Sequence, residues 1–445
     1  MQAAHRNREL SLLILGLIVG GSAFALIALA RQPVDTAVIA PYIVVLAGCY
    51  IGAHIAVRRF ASAADPLILP LAAIINAIGI ASVYRLSEYR AWKDVGAAQL
   101  TWTIVGIGFF VATLVLVRDA SVIARFKYIL GFTGVGLLLL PLVPGLGQEI
   151  NGAKLWVRIG AMNFQPGELA KLCLVAFFAG YLAERKELLS IATRRVFGVH
   201  VPDLKHFGPL LVMWGLSLAV MFYLKDLGSS LLFFSMFIVM IYIATARMVY
   251  VATGLALFGI GAFLGYQSFS HVRVRVATWL DVFNPQFVQD ESYQLARSLF
   301  ALSAGGLFGT GLGQGRPDLV PEAHTDFIFS VVGHELGLLG ASAVLLCFLM
   351  LVGRGFRAAL VQRNDFHQLL AAGLTTIFGL QTFIILAGVT RLLPLTGITL
   401  PFMSYGGSSL LSNFILIALL VRISHQAAEA RPAEHTAEIL VGGRR

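Results

Sequence analysis

Charge is scarce in this sequence. Only 13% of its 445 residues are Asp, Glu, Lys or Arg, against about 25% in a typical soluble domain, while 58% are apolar against about 45 to 50%. A soluble fold cannot hide that much apolar surface, and no polar domain interrupts the apolar stretches that recur from residue 10 to about residue 421. Cysteine is scarcer still. Cys49, Cys173 and Cys347 each sit inside an apolar run and form no C-x-x-C pair, so they read as packing residues and not as a redox or metal motif. A continuous basic footprint is also missing: the net charge of +10 is spread in short clusters between apolar segments, which suits lipid headgroups and excludes nucleic acid. The first apolar run follows Arg6 and Arg8 but ends at Ala30-Arg31-Gln32-Pro33 without a small-residue cleavage site, so it reads as a retained helix.

What is present is a series of runs long enough to cross a bilayer, for which about 20 residues are needed. They lie near 10–30, 36–57, 66–84, 97–117, 127–144, 168–184, 207–224, 228–246, 249–267, 327–352, 367–388 and 402–421. The expectation is an all-α polytopic membrane protein with about twelve transmembrane helices. Twenty Lys and Arg residues fall in the loops that share a side with both termini, against twelve in the alternate loops, which predicts cytoplasmic termini. The longer outside connections, 145–167 and 268–326, mix aromatics, glycines and charges, a composition that suits a site better than a passive linker.

A few polar groups demand explanation. Lys171 stands one turn inside an apolar run, where an ammonium must be paired or wetted, and shares a helical face with Glu168. Pro166 suits the first turn of that helix and Glu168 its dipole. This is either a structural ion pair or a place to hold an anion. Lys225-Asp226 occupies a short outside turn where a phosphate or a cation could meet it. His271, Arg273 and Arg275 alternate with valines, predicting a short extended or interfacial stretch whose basic side attracts headgroups or a pyrophosphate-bearing lipid. The glycines from Gly305 to Gly313 lack the Gly-Lys-Ser or Gly-Lys-Thr of a P-loop and read as tight turns or close contacts. Glu322 and Asp326, four apart in Pro321-Glu322-Ala323-His324-Thr325-Asp326-Phe327, would share a face if the next helix starts early. A carboxylate there could serve as a general base or bind a metal, or could merely cap the helix. Pro401 with Gly406 and Gly407 breaks the entry to the last run around Ser404, which is tolerable only against protein or a wet cavity.

Taken in order, these segments resemble the SEDS family of RodA and FtsW proteins. The matching pieces are Asn151-Gly152-Ala153-Lys154 with Trp156 and Gly160, then Gln165-Pro166 with Glu168 and Lys171, and Asp226-Leu227-Gly228. They continue through Tyr293-Gln294, the glycine run, residues 319–329, Glu335-Leu336-Gly337, and Leu400-Pro401 with Ser404-Tyr405-Gly406-Gly407-Ser408. The resemblance covers residues 66–421 as a ten-helix core, leaving 1–65 as a two-helix N-terminal extension and 422–445 as a cytoplasmic tail. The body is more similar to RodA, in its actinobacterial form, than to FtsW. Departures include Gly167, where the family commonly has Ser, Leu224-Lys225 before Asp226, and His334 within the Glu-Leu-Gly motif.

The resemblance implies a peptidoglycan glycosyltransferase of the bacterial plasma membrane. It would polymerise lipid II into β-1,4 glycan at the outer face during cell elongation, release undecaprenyl pyrophosphate, and partner a class B penicillin-binding protein transpeptidase. The family's essential Asp falls on Asp326 and its intramembrane Lys on Lys171. Glu168, Asp226, Arg273, Arg275, Glu322, His324 and Ser404 are the expected contacts to substrate. No resident cofactor is expected with certainty; a divalent cation, Mg2+ or Mn2+, is a candidate. Rival readings are a lipid II flippase, since intramembrane charge and a broken helix also suit transport, and a non-catalytic scaffold for a transpeptidase.

Overall fold

Within hydrocarbon every backbone N–H and C=O must find its partner inside the protein, so long apolar runs fold as helices. The computed structural model describes residues 2–30, 36–150, 153–160, 162–190, 194–196, 199–201, 208–224, 226–285, 288–290 and 292–442. In chain order the helices are α1 Gln2–Leu29, α2 Thr36–Phe60, α3 Ile68–Leu86, α4 Val95–Leu116, α5 Ser121–Arg125, α6 Lys127–Leu139, α7 Pro166–Ser190 and α8 Gly208–Tyr223. They continue as α9 Leu227–Thr245, α10 Met248–Ser268, α11 Ser270–Leu280, α12 Tyr293–Gly305, α13 Ile328–Leu360, α14 Asp365–Val389 and α15 Gly407–Gly442. Every apolar run falls on a helix. Ten are long and apolar enough to cross a membrane, while Lys127–Leu142 and Gly208–Val220 are shorter, so the described residues do not establish twelve spans.

Burial arranges these helices around a centre. α3, α14 and α15 are enclosed, whereas only 11% of the apolar window of α10 is buried, leaving Leu255, Phe258, Ile260 and Phe263 facing outward as a lipid-exposed flank. α1 lies along α3 because Gly16 and Gly20, four apart, bring its backbone close to Ile74 and Ala77, a small-residue contact common between membrane helices. The same helix brings a buried ionic cluster, in which Glu9 accepts from Arg6 and meets His54 Nδ1 at 2.7 Å, and Arg6 also donates to the Ala64 carbonyl.

Several expectations are corrected. Residues 145–167 carry a three-stranded antiparallel sheet, β1 Gly147–Ile150, β2 Ala153–Ile159 and β3 Met162–Phe164, with Val157 turned inward and Lys154 and Arg158 outward. A two-stranded pair, β4 Arg194–Val196 and β5 Val199–Val201, lies between α7 and α8, so the protein is nearly but not wholly helical. The stretch with Arg273 and Arg275 is helix α11, not extended; two positions on a helix are about 200° apart, so the arginines diverge. Asp326 and Glu322 do not share a helical face, because α13 starts only at Ile328 and Glu322 adopts φ +50° in the turn before it. Asn151, Gly152 and Lys225 lie outside the described residues.

The glycine run closes a break in α13. At Gly337 the helix leaves helical geometry (φ +66°), and the freed backbone groups are satisfied by the run itself. Thr310 and Gly311 N–H donate to the His334 and Glu335 carbonyls, while Leu338 and Leu339 N–H donate to Gly306 and Leu307. Gly309 has φ +82° and passes so near the Glu335 carbonyl that no side chain fits.

Candidate active site

The turn 321–327 stands where helical structure fails on two sides. Pro401 and Phe402, the latter at φ +63°, stop the backbone before α15, and the exposed polar groups of this segment reach across to the turn. Ser404 Oγ donates to the Thr325 carbonyl at 2.6 Å and accepts from Leu400 N–H at 2.8 Å, while Tyr405 N–H donates to the His324 carbonyl at 2.7 Å. Ser404 is therefore buried and holds the turn by its backbone, a positioning role and not the direct substrate contact expected of it.

Asp326, held in that turn, points its Oδ2 towards Gly397; a Cβ there would lie 3.6 Å from the oxygen. Its side chain is half-buried, yet protein packs densely around the carboxyl. Burial pushes its pKa up to about 7, Glu322 adds to the rise, and Arg275 and the Thr325 hydroxyl oppose it. A neighbouring cation is thus present as expected, but it does not outweigh burial.

Arg275 faces inward from α11. Its Nη1 donates to the Leu395 carbonyl at 2.9 Å, and its charge acts on both Asp226 and Asp326. α11 is pinned by reciprocal bonds: Trp279 Nε1 donates to the Arg391 carbonyl at 3.2 Å, and Arg391 Nε donates to the Trp279 carbonyl at 2.9 Å. Arg273 is exposed on the other side of the same helix. Asp226 caps α9 by accepting from Ser229 N–H at 2.9 Å, and burial raises its carboxyl despite that bond. It borders a cleft lined also by Leu138, Leu155, Gln165 and Ser229.

Lys171 lies deeper, 2% exposed, in a closed polar ring. Its ammonium meets Glu168 Oε2 at 2.6 Å and donates to Gln381 Oε1 at 2.6 Å. Gln381 Nε2 donates to the Thr399 carbonyl at 2.8 Å, Thr399 Oγ1 donates to Ser409 Oγ at 2.9 Å, and Ser412 Oγ lies 3.0 Å from both the Ser409 carbonyl and Glu168 Oε2, with one hydrogen to share between them. The expected ion pair exists, and through Glu168 and Gln381 the ammonium ties α7, α14, the segment 397–406 and α15 together. Gln381, Thr399 and Gly397 were not singled out from sequence. An amide in the middle of the apolar run of α14 was the available signal for Gln381; Thr399 and Gly397 carried none.

Arg275 thus acts on two half-buried carboxylates, Asp226 and Asp326, that stand just before α9 and α13. The family model for FtsW, RodA and SpoVE, described as cell cycle protein, matches residues 65–429. The chain belongs to this family. A peptidoglycan glycosyltransferase RodA of Mycobacterium leprae is 41% identical over 428 residues, which are 95% of this chain and 91% of that protein. A solved chain described under structural coordination of polymerization and crosslinking by a peptidoglycan synthase complex superposes with TM-score 0.64 at 24% identity, covering 82% of this chain and 98% of that one. The rod shape determining protein RodA of Thermus thermophilus does so with TM-score 0.55 at 26% identity, covering 81% and 96%. Within this FtsW/RodA/SpoVE member Asp226, Arg275, Glu322 and Asp326 lie just outside the candidate spans of a multi-pass membrane bundle.

Proposed function

We propose that this chain is a peptidoglycan glycosyltransferase that polymerises lipid II into β-1,4 glycan strands on the outer face of the bacterial plasma membrane, with both termini cytoplasmic, in cell elongation. The C4 hydroxyl of the acceptor N-acetylglucosamine gives its proton to Asp326 while its oxygen bonds to C1 of the donor N-acetylmuramic acid. The C1–O bond to the diphosphate breaks, and undecaprenyl pyrophosphate leaves with that electron pair. The observation that carries this reading is the carboxyl of Asp326, outside the spans and tuned to about 7 beside a guanidinium, since a general base works best with a pKa near the operating pH.

Arg275, with Arg273 at the rim, is assigned to the leaving diphosphate, and Asp226 helps to hold that cation in place. Glu168 and Lys171 position the segment 397–406 that clasps the catalytic turn. Among the described residues no three His, Cys, Asp or Glu side chains converge, so a cage built from protein alone is not formed there. Asp326 and Glu322 are the side chains that would hold Mg2+ or Mn2+, because Mg2+ is commonly bound by one or two carboxylates together with substrate phosphates. Such an ion would neutralise charge on the diphosphate. The neighbour described as part of a peptidoglycan synthase complex supports a class B penicillin-binding protein transpeptidase as partner.

The test is polymerisation of labelled lipid II by the purified chain, with and without its transpeptidase. Asp326→Asn is expected to lower glycan synthesis by about 100- to 10,000-fold with the fold intact. Undiminished synthesis by that variant rejects Asp326 as the base. Lipid II translocation into proteoliposomes without polymer would replace the reading by transport.

A further inference from the structure

Four rings from three distant parts of the chain meet beside the catalytic turn. Tyr89 and Trp92 lie in the connection between α3 and α4, with ring centroids 6.1 Å apart. Trp92 is 5.6 Å from the ring of His324, and His324 is 5.7 Å from that of Tyr405. All four are half-buried, so each keeps some surface open to solvent. The arc is braced from behind: the Arg85 guanidinium lies 5.6 Å from the Tyr89 ring, and Tyr405 is fixed by its bond to the His324 carbonyl. His324 is two residues from Asp326.

Trp and Tyr commonly form belts at the two surfaces of a membrane, where they stand on the lipid-facing flanks of helices. This arc differs in two respects. Its members sit in the turns before α4, α13 and α15 and not along those helices, and Nδ1 of His324 is buried without a hydrogen-bond partner. A buried polar atom left unpaired costs free energy and is normally matched, so a small turn of the half-exposed His324 ring towards an arriving group would recover that cost. An apolar floor with one unsatisfied polar atom is the surface a pyranose requires. The C–H face of the sugar packs on the rings, and its hydroxyl or acetamido group meets the imidazole. Burial lowers the His324 pKa, so the ring is neutral near pH 7 and offers either a donor or an acceptor.

We infer that the arc of Tyr89, Trp92, His324 and Tyr405 is a saccharide-binding platform that seats an N-acetylhexosamine ring of the acceptor beside Asp326. Its placement suits that role. Arg275 acts on Asp326 from α11, whereas the arc is built from the α3–α4 connection, the turn 321–327 and the segment before α15. A sugar on the rings and a diphosphate at Arg275 then flank the same carboxylate. This inference rests on the glycosyltransferase reading for its acceptor role, but not for the binding of sugar itself.

The experiment separates the two. The probe is β-1,4-linked N-acetylglucosamine tetramer, free of lipid and peptide, added to the full chain in nanodiscs and followed by saturation-transfer NMR. Asp326→Asn is expected to bind it as the parent does. Trp92→Ala is expected to weaken binding by about tenfold and Trp92→Phe to restore most of it. With lipid II, Trp92→Ala is expected to raise KM more than it lowers kcat. Binding by the parent that Trp92→Ala and His324→Ala leave unchanged overturns the platform while leaving the glycosyltransferase reading standing, and so does a parent that does not bind the tetramer. Trp92-dependent binding in a chain that makes no polymer sustains the platform and rejects the activity. A loss shared equally by Trp92→Ala and Trp92→Phe marks a structural role and also overturns it.

Discussion

At the scale of single residues, the proposed mechanism turns on Asp326 being hard to ionise and Arg275 making it easier. Because the working form is the carboxylate, kcat/KM is expected to fall by about tenfold per unit as pH drops below about 7 and to level off above it. Removing the guanidinium takes away an influence that lowers this pKa, so Arg275→Ala moves the acid limb to higher pH, and Arg275→Lys moves it less. Initial rates on lipid II from pH 5 to 9 check both; an unmoved limb in Arg275→Ala detaches the arginine from the base. Asp326, Lys171 and Glu168 were legible in the sequence because a charge at the edge of an apolar run has to be there for a reason. The direction in which Lys171 spends its donors was not legible, since its partner Gln381 lies 210 positions further on.

At the scale of elements, helices were readable wherever a long apolar run met water at both ends. The rest was not. Valine and arginine alternating over residues 272–276 satisfied a period of two, yet the chain formed α11, because the docking of Trp279 and Arg391 outweighs local alternation. The glycines between Gly305 and Gly313 announced close approach without saying to what, and the answer is the break in α13. Gly309→Ala should therefore destabilise strongly, beyond the roughly 1–3 kcal/mol of a side chain forced to positive φ, because the Glu335 carbonyl blocks the Cβ as well. Gly108→Ala, exposed on α4 with open space around it, should be neutral or stabilising. Thermal unfolding in one detergent compares the two. The ring around Lys171 makes a parallel prediction. Lys171→Ala leaves the largely buried Glu168 without its cation and with the Ser412 hydroxyl as its remaining partner in the ring, costing up to about 3 to 5 kcal/mol, whereas Lys171→Met with Glu168→Gln should recover much of the stability. If the double variant regains stability but not activity, the pair does more than hold the bundle.

At the scale of the whole molecule, the first two helices are built into the bundle instead of being appended to it. α1 is seated on α3 through Gly16 and Gly20, Tyr50 of α2 donates to Asn76 of α3 at 3.0 Å, and Gly313 of the glycine run lies against Ile27 and Ala30. We expect a chain shortened to residues 66–445 to lose at least several degrees of Tm and most of its polymerising rate, measured side by side with the full chain; equal values would make residues 1–65 dispensable. The ring also bears on how the protein is made. Lys171 enters the membrane long before Gln381, Thr399 and Ser412 have been synthesised, so during that interval its ammonium has only Glu168, one turn away, as a partner. Glu168 is thus the partner already in place when Lys171 is made, and the ring can close only once the first turns of α15 have been synthesised.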